Sequence, residues 1–251
     1  MGKTKNRKEL IFRIVLCAIM AALSIVLDKV SVNVERFKIT FYALPLIVVG
    51  ITNGISYGLI AGAVSGLVLQ LTSPYGVGPT SVFWALAPIA WGGVSAVIYH
   101  LFKKKINNRF ILYTLSIVIA SVVANVLNTF AMYMDSLLVK DSYYTLATIL
   151  VGWPLRLVIM VISWVPYIVI TGSVCEALSK AFGFNEQEKE EEKTNKLNFI
   201  SLYTLILSYT VNIFLIIEII NIMHKDNWVK AYYPLVISII NLLISMLSFA
   251  L

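Results

Sequence analysis

The chain has 251 residues, 59% of them hydrophobic and 13% charged, with a formal net charge of +7. A mean hydropathy of +0.85 excludes a water-soluble domain. It leaves a polytopic all-α membrane protein, because the apolar runs reach the roughly 20 residues that a helical span needs and a helix satisfies its own backbone in lipid. Eight spans are expected, at approximately residues 10–29, 41–53, 54–72, 81–102, 110–134, 148–179, 199–222 and 230–250.

The basic excess does not indicate nucleic acid. Lys3, Lys5, Arg7 and Lys8 precede the first span, Lys103, Lys104, Lys105 and Arg109 separate the fourth from the fifth, and Lys180, Lys189, Lys193 and Lys196 follow the sixth. All three clusters fall on one side of a bilayer, which the positive-inside rule makes the cytoplasmic side. The N-terminus is therefore expected inside, and the charge orients the chain.

The first span begins basic and carries small residues, as a signal peptide does. Seven further spans follow and the run continues apolar through Val26, so it is expected to remain as a mature helix. Ala18 and Ala22 share one of its faces, either as lipid-facing filler or as a contact for another helix. The polar stretch 28–38 ends at Lys38, and its Ser31-Val32-Asn33-Val34 alternation fits a brief extended piece.

Residues 41–100 organise the chain. Glycine recurs every fourth residue at Gly50, Gly54, Gly58, Gly62 and Gly66, a slowly drifting stripe on a helix that lets another backbone approach closely. A Pro/Gly-rich break at 72–80, containing Tyr75, interrupts the apolar pattern as a cavity border does, and Trp84, Pro88 and the Gly92-Gly93 pair follow.

In the fifth span Asn125 and Asn128 are three apart and face one way near its end; an asparagine in hydrocarbon needs a partner, whether a neighbouring helix or a ligand. The polar stretch 135–144 is expected to be an external loop. Gly152-Trp153-Pro154-Leu155-Arg156 opens the sixth span. An arginine there either snorkels to the surface or offers its planar fork to a carboxylate or phosphate.

Residues 185–196 are the most highly charged tract and read as a cytoplasmic linker. The expected organisation is a six-helix substrate-binding unit at 1–183, a linker at 184–197 and a two-helix membrane tail at 198–251, which holds Glu218.

Chemistry is sparse. There is no Gly-x-x-x-x-Gly-Lys-Ser/Thr loop for ATP. His100 and His224 are expected on opposite sides of the membrane, and Cys17 and Cys175 are isolated within spans, so no metal site, disulfide framework or nucleophile–base pair is expected. Asp28, Asp135 and Glu176 sit near span ends rather than mid-membrane, which disfavours intrinsic ion coupling. The chain reads as a binding device, not an enzyme, with no cofactor.

Together Ala18-x-x-x-Ala22, Lys38-Ile39-Thr40-Phe41 with Leu44-Pro45 and Gly50, the glycine-rich third span, Leu127-Asn128-Thr129 and Leu155-Arg156-Leu157 resemble the substrate-binding S component of energy-coupling factor (ECF) transporters, the folate-specific type most of all, over roughly residues 8–182. The resemblance implies a six-helix protein of the bacterial cell membrane that captures a vitamin, folate or another small anionic one, from outside. Delivery is then implied to require a membrane scaffold (T) subunit and two ABC-type ATPases. Carried over by position, Ala18 and Ala22 dock on the scaffold; Trp84, Asn125, Asn128 and Arg156 line the pocket; and Lys38 and Tyr75 lie in covering loops. Trp153 is a further stacking candidate. The alternative is a self-sufficient secondary transporter, in which the tail completes an eight-helix unit and Glu218 carries a coupling ion.

Overall fold

The computed structural model describes residues 2–34, 37–73, 76–139, 142 and 144–182. The linker, the two-helix tail with Glu218, and Tyr75 lie outside the described residues. Two compact units divide the chain, Met1–Val151 with Tyr167–Phe184, and Gly152–Pro166 with Asn185–Leu251.

Seven helices and a hairpin make up the described part: α1 (Gly2–Lys29), β1 (Val32–Val34), β2 (Phe37–Ile39), α2 (Ala43–Asn53), α3 (Ile55–Leu71), α4 (Ser81–Trp84), α5 (Leu86–Phe102), α6 (Arg109–Leu138) and α7 (Leu146–Phe182). The expected all-α class holds, with one addition. The 31–34 alternation becomes β1, which pairs antiparallel with β2 so that Asn33 faces Lys38.

Four segments are long and apolar enough to cross a membrane: Glu9–Lys29, Ser81–Phe102, Arg109–Leu138 and Leu146–Ala181. The other two spans expected among the described residues are shorter. At 11 residues, α2 reaches only about 16 Å, so it enters a bilayer without crossing it alone. The fourth span is broken at Ala85 into α4 and α5, and the fifth and sixth extend several residues beyond their expected ends.

Gly54, with φ 103°, turns the chain from α2 into α3, a conformation that a Cβ disfavours. At the start of α6 the Asn108 carboxamide oxygen accepts the Phe110 and Ile111 amides at 2.9 and 3.3 Å, satisfying donors that the first helical turn leaves open.

Helix α5 lies at the centre of the first unit, against α2, α3 and α6, and the glycine beat explains how. A Cβ placed on Gly62 would sit 2.5 Å from the Pro88 carbonyl oxygen, one on Gly66 2.7 Å from that of Ala85, and those on Gly50 and Gly58 would both strike the Gly92 carbonyl. The partners fall from Gly92 on α5 to Ala85, the residue just before it, as α3 rises from Gly58 to Gly66, so the two helices run antiparallel with backbones nearly touching.

Polar side chains set the register of α1. Cys17 Sγ donates to the Tyr57 carbonyl at 3.6 Å, Ser65 Oγ to that of Ala21 at 3.2 Å, and Lys29 Nζ to that of Thr72 at 2.8 Å, which makes α1 and α3 parallel. Arg13 donates to the Asn53 carbonyl at 3.2 Å while Asn53 Nδ2 donates back to the Arg13 carbonyl at 3.0 Å, and Ser24 Oγ reaches Tyr42 O at 2.8 Å; α2 therefore runs antiparallel to α1. The unit thus has an Arg13 end and a Lys29 end. Near the latter Tyr167, buried, donates its hydroxyl to Thr40 O at 2.9 Å and meets the rings of Phe41 and Trp91 edge-on at 6.2 and 5.4 Å.

Candidate functional site

Two α4 side chains reach α6. The Phe83 ring meets Phe130 edge-on at 5.5 Å, and the Trp84 indole N–H donates to Asp135 Oδ2 at 3.1 Å. The indole also meets Tyr144, ring centroids 5.9 Å apart and tilted by 41°. The engaged N–H fixes the orientation of the indole plane. Trp84, Asp135 and Tyr144 are all partly buried.

Asp135 corrects the expectation of an external loop beginning at that residue, since α6 runs on to Leu138. The reason is legible in the spacing. Ala124, Asn128, Ala131 and Asp135 follow a 4-3-4 interval, which on a helix is one face; Ala124 and Ala131 are buried at 1% and 0% exposure. Asn128 and Asp135 therefore stand in line with the packed seam of α6, about 10 Å apart along the axis. Asn125 lies off that line and is partly buried; its backbone carbonyl accepts from Thr129 Oγ1 at 2.8 Å.

The remaining expected residues are distributed elsewhere. Lys38 occupies β2 opposite Asn33. Arg156, partly buried, and Trp153, 47% exposed, lie on α7 within the second unit. On α1 the structure leaves Ala18 and Ala22 exposed while Ala21, between them, is buried at 4%. Exposed Ile11, Ile14, Val15, Ile19 and Val26 surround the two alanines, giving a smooth apolar strip with a small-residue centre. Among the described residues no cluster of His, Cys, Asp or Glu is able to hold a metal ion, and the lone salt bridge joins Arg13 to Glu9 at 2.6 Å.

The sequence singles out Trp84 and Asn128 but not Asp135 and Tyr144, which the structure sets beside Trp84. The 4-3-4 interval was the available signal for the first. Nothing local pointed to Tyr144, whose partner is 60 positions away.

A family model described as the substrate-specific component of ECF transporters matches residues 12–184. No curated protein and no solved structure matches the chain.

Proposed function

Because the chain belongs to the family of substrate-specific components of ECF transporters, we propose that it captures a small anionic vitamin, of which folate is the leading candidate, and hands it across the bacterial cell membrane. The scaffold subunit and two ABC-type ATPases that drive delivery are separate proteins in this reading. The observation that carries it is the match itself, which runs from the first span through the last turn of the sixth.

Two features support the assignment of parts. The exposed Ala18–Ala22 strip on α1 suits a partner helix that must come close, since small residues let backbones approach where lipid offers no hydrophobic gain. The Lys29 end of the first unit gathers Trp84, Asp135, Tyr144 and Asn128, a stacking surface with hydrogen-bonding groups, as a ring-bearing ligand requires. Arg156 supplies the fork for a ligand carboxylate. Asn125, Lys38 and Tyr75 are further proposed ligand contacts, and Arg156 and Trp153, in the second unit, are proposed as contacts independently of them. The N-terminus lies in the cytoplasm, so the Lys29 end opens outward.

Purified protein titrated with folic acid, riboflavin, thiamin and pantothenate, with tryptophan fluorescence as the readout, tests the proposal. Saturable binding of folic acid by the isolated chain is expected. Tight binding of pantothenate or riboflavin in its place overturns the folate assignment, and binding of none of the four overturns vitamin capture.

A further inference from the structure

The Arg13 end of the first unit carries charge that substrate capture does not use. Helix α5 runs antiparallel to α3, and α3 parallel to α1, so the turn from α5 into α6 lies at that end. The spans Ser81–Phe102 and Arg109–Leu138 stop on either side of it, which leaves residues 103–108 at the level of a bilayer's polar surface. From Arg36 through Met134 the sequence holds no Asp or Glu, and Lys103, Lys104 and Lys105 are all exposed. Among the described residues of the first unit, Glu9 is bonded to Arg13, Asp28 and Asp135 lie toward the Lys29 end, and Glu176 is exposed on α7.

The lysines are displayed on an ordered turn. Lys103 keeps helical angles, φ −56° and ψ −23°. Its amide donates to the Tyr99 carbonyl at 2.9 Å, and the Lys105 and Ile106 amides donate to that of Phe102 at 2.8 and 2.9 Å. Helical spacing thus continues past the end of α5, so Lys104 and Lys105, three and four positions beyond Leu101, fall on its side of the chain. Leu101 is 62% exposed within a span, which marks that side as facing lipid. A lipid whose acyl chains lie along Leu101 would bring its headgroup to the two ammonium groups. The first turn of α6 is not the anion site, because the Asn108 side chain already accepts from the Phe110 and Ile111 amides.

We propose that Lys103, Lys104 and Lys105 form a docking surface for the phosphate of an anionic membrane lipid, which holds the α5–α6 turn at the membrane surface. Lysine meets phosphate as a compact point charge, and basic residues just outside a span gather anionic lipid. The partner is a lipid rather than free phosphate. Exposed lysines alone hold a small anion weakly in salt solution, whereas the apolar face that includes Leu101 retains the acyl chains of the same molecule. The inference stands whichever substrate the chain captures.

The test uses the full-length protein in a neutral detergent, titrated separately with phosphatidylglycerol, phosphatidylcholine and inorganic phosphate, with thermal unfolding as the readout. A ligand that binds the folded state raises the unfolding temperature, so phosphatidylglycerol should raise it while the other two do not. The variant carrying Lys103→Gln, Lys104→Gln and Lys105→Gln together should need at least about tenfold more phosphatidylglycerol for the same rise. A second measurement needs no variant. On the unaltered protein, amine acylation read by mass spectrometry should be slower at Lys103, Lys104 and Lys105 in phosphatidylglycerol than in phosphatidylcholine. An equal response of variant and wild type, or equal acylation in the two lipids, overturns the inference. An equal rise with phosphatidylcholine overturns the role of charge, and a rise reproduced by inorganic phosphate overturns the lipid as partner.

Discussion

Gly58→Ala is the sharpest perturbation of the packing. A Cβ at this position would lie 2.9 Å from both Gly50 Cα and the Gly92 carbonyl carbon, with the Gly92 carbonyl oxygen closer still. All three are backbone atoms on α2 and α5, so no side-chain rotation relieves the clash. Inserting a carbon into a well-packed interior costs about 1–3 kcal/mol, and the absence of a flexible neighbour places this site toward the upper end. Better helix propensity returns about 1 kcal/mol, leaving a net loss of about 2 kcal/mol. Gly172→Ala is the matched control, because its Cβ would meet only the Tyr113 ring, with Cδ2 nearest at 3.6 Å, an ordinary contact. Thermal unfolding of both variants in one detergent, followed by size-exclusion chromatography, should show a clear loss for Gly58→Ala and none for Gly172→Ala. Equal or higher stability of Gly58→Ala would refute the close α3–α5 approach.

Ala22→Trp should abolish uptake in cells that hold the scaffold and ATPases while leaving ligand affinity unchanged, because it thickens an exposed strip of α1 without entering the seam at Trp84; normal uptake removes α1 as the docking face. Arg156→Lys keeps the charge but loses the planar fork, and should weaken an anionic vitamin at least about tenfold, about 1.4 kcal/mol, with equal affinity arguing against a carboxylate contact. Introduced cysteines at the exposed positions Lys104 and Val77 should be labelled from inside and outside respectively, against a quiet background since Cys17 and Cys175 are buried. Labelling of position 104 by an impermeant reagent on intact cells reverses the topology.

Much of the fold was legible because membrane helices leave coarse marks. The four-residue glycine beat named the surfaces that α2 and α3 present to α5, and it ran through the one residue, Gly54, whose φ of 103° turns the chain. The beat did not reveal that Gly50 and Gly58 converge on a single carbonyl, that of Gly92, because convergence depends on the turn geometry rather than on period. The site was read less completely. Asparagine and tryptophan in apolar runs attract notice because they are expensive there, whereas Asp135 followed a run of apolar residues and was assigned to solvent by polarity alone. Its place on the α6 seam shows only when the interval is counted from the buried alanines. The ring cluster of Phe41, Trp91 and Tyr167 joins positions far apart in the chain, and no local pattern encodes such a meeting.

Reconstitution tests the central claim, that this chain captures a substrate but does not drive its transport. Proteoliposomes holding the protein alone should bind radiolabelled substrate without accumulating it, whatever ion gradient is imposed. Vesicles that also hold the scaffold and both ATPases should accumulate it when supplied with ATP. Accumulation by the protein alone under a proton or sodium gradient would contradict the account and mark the chain as a self-sufficient transporter.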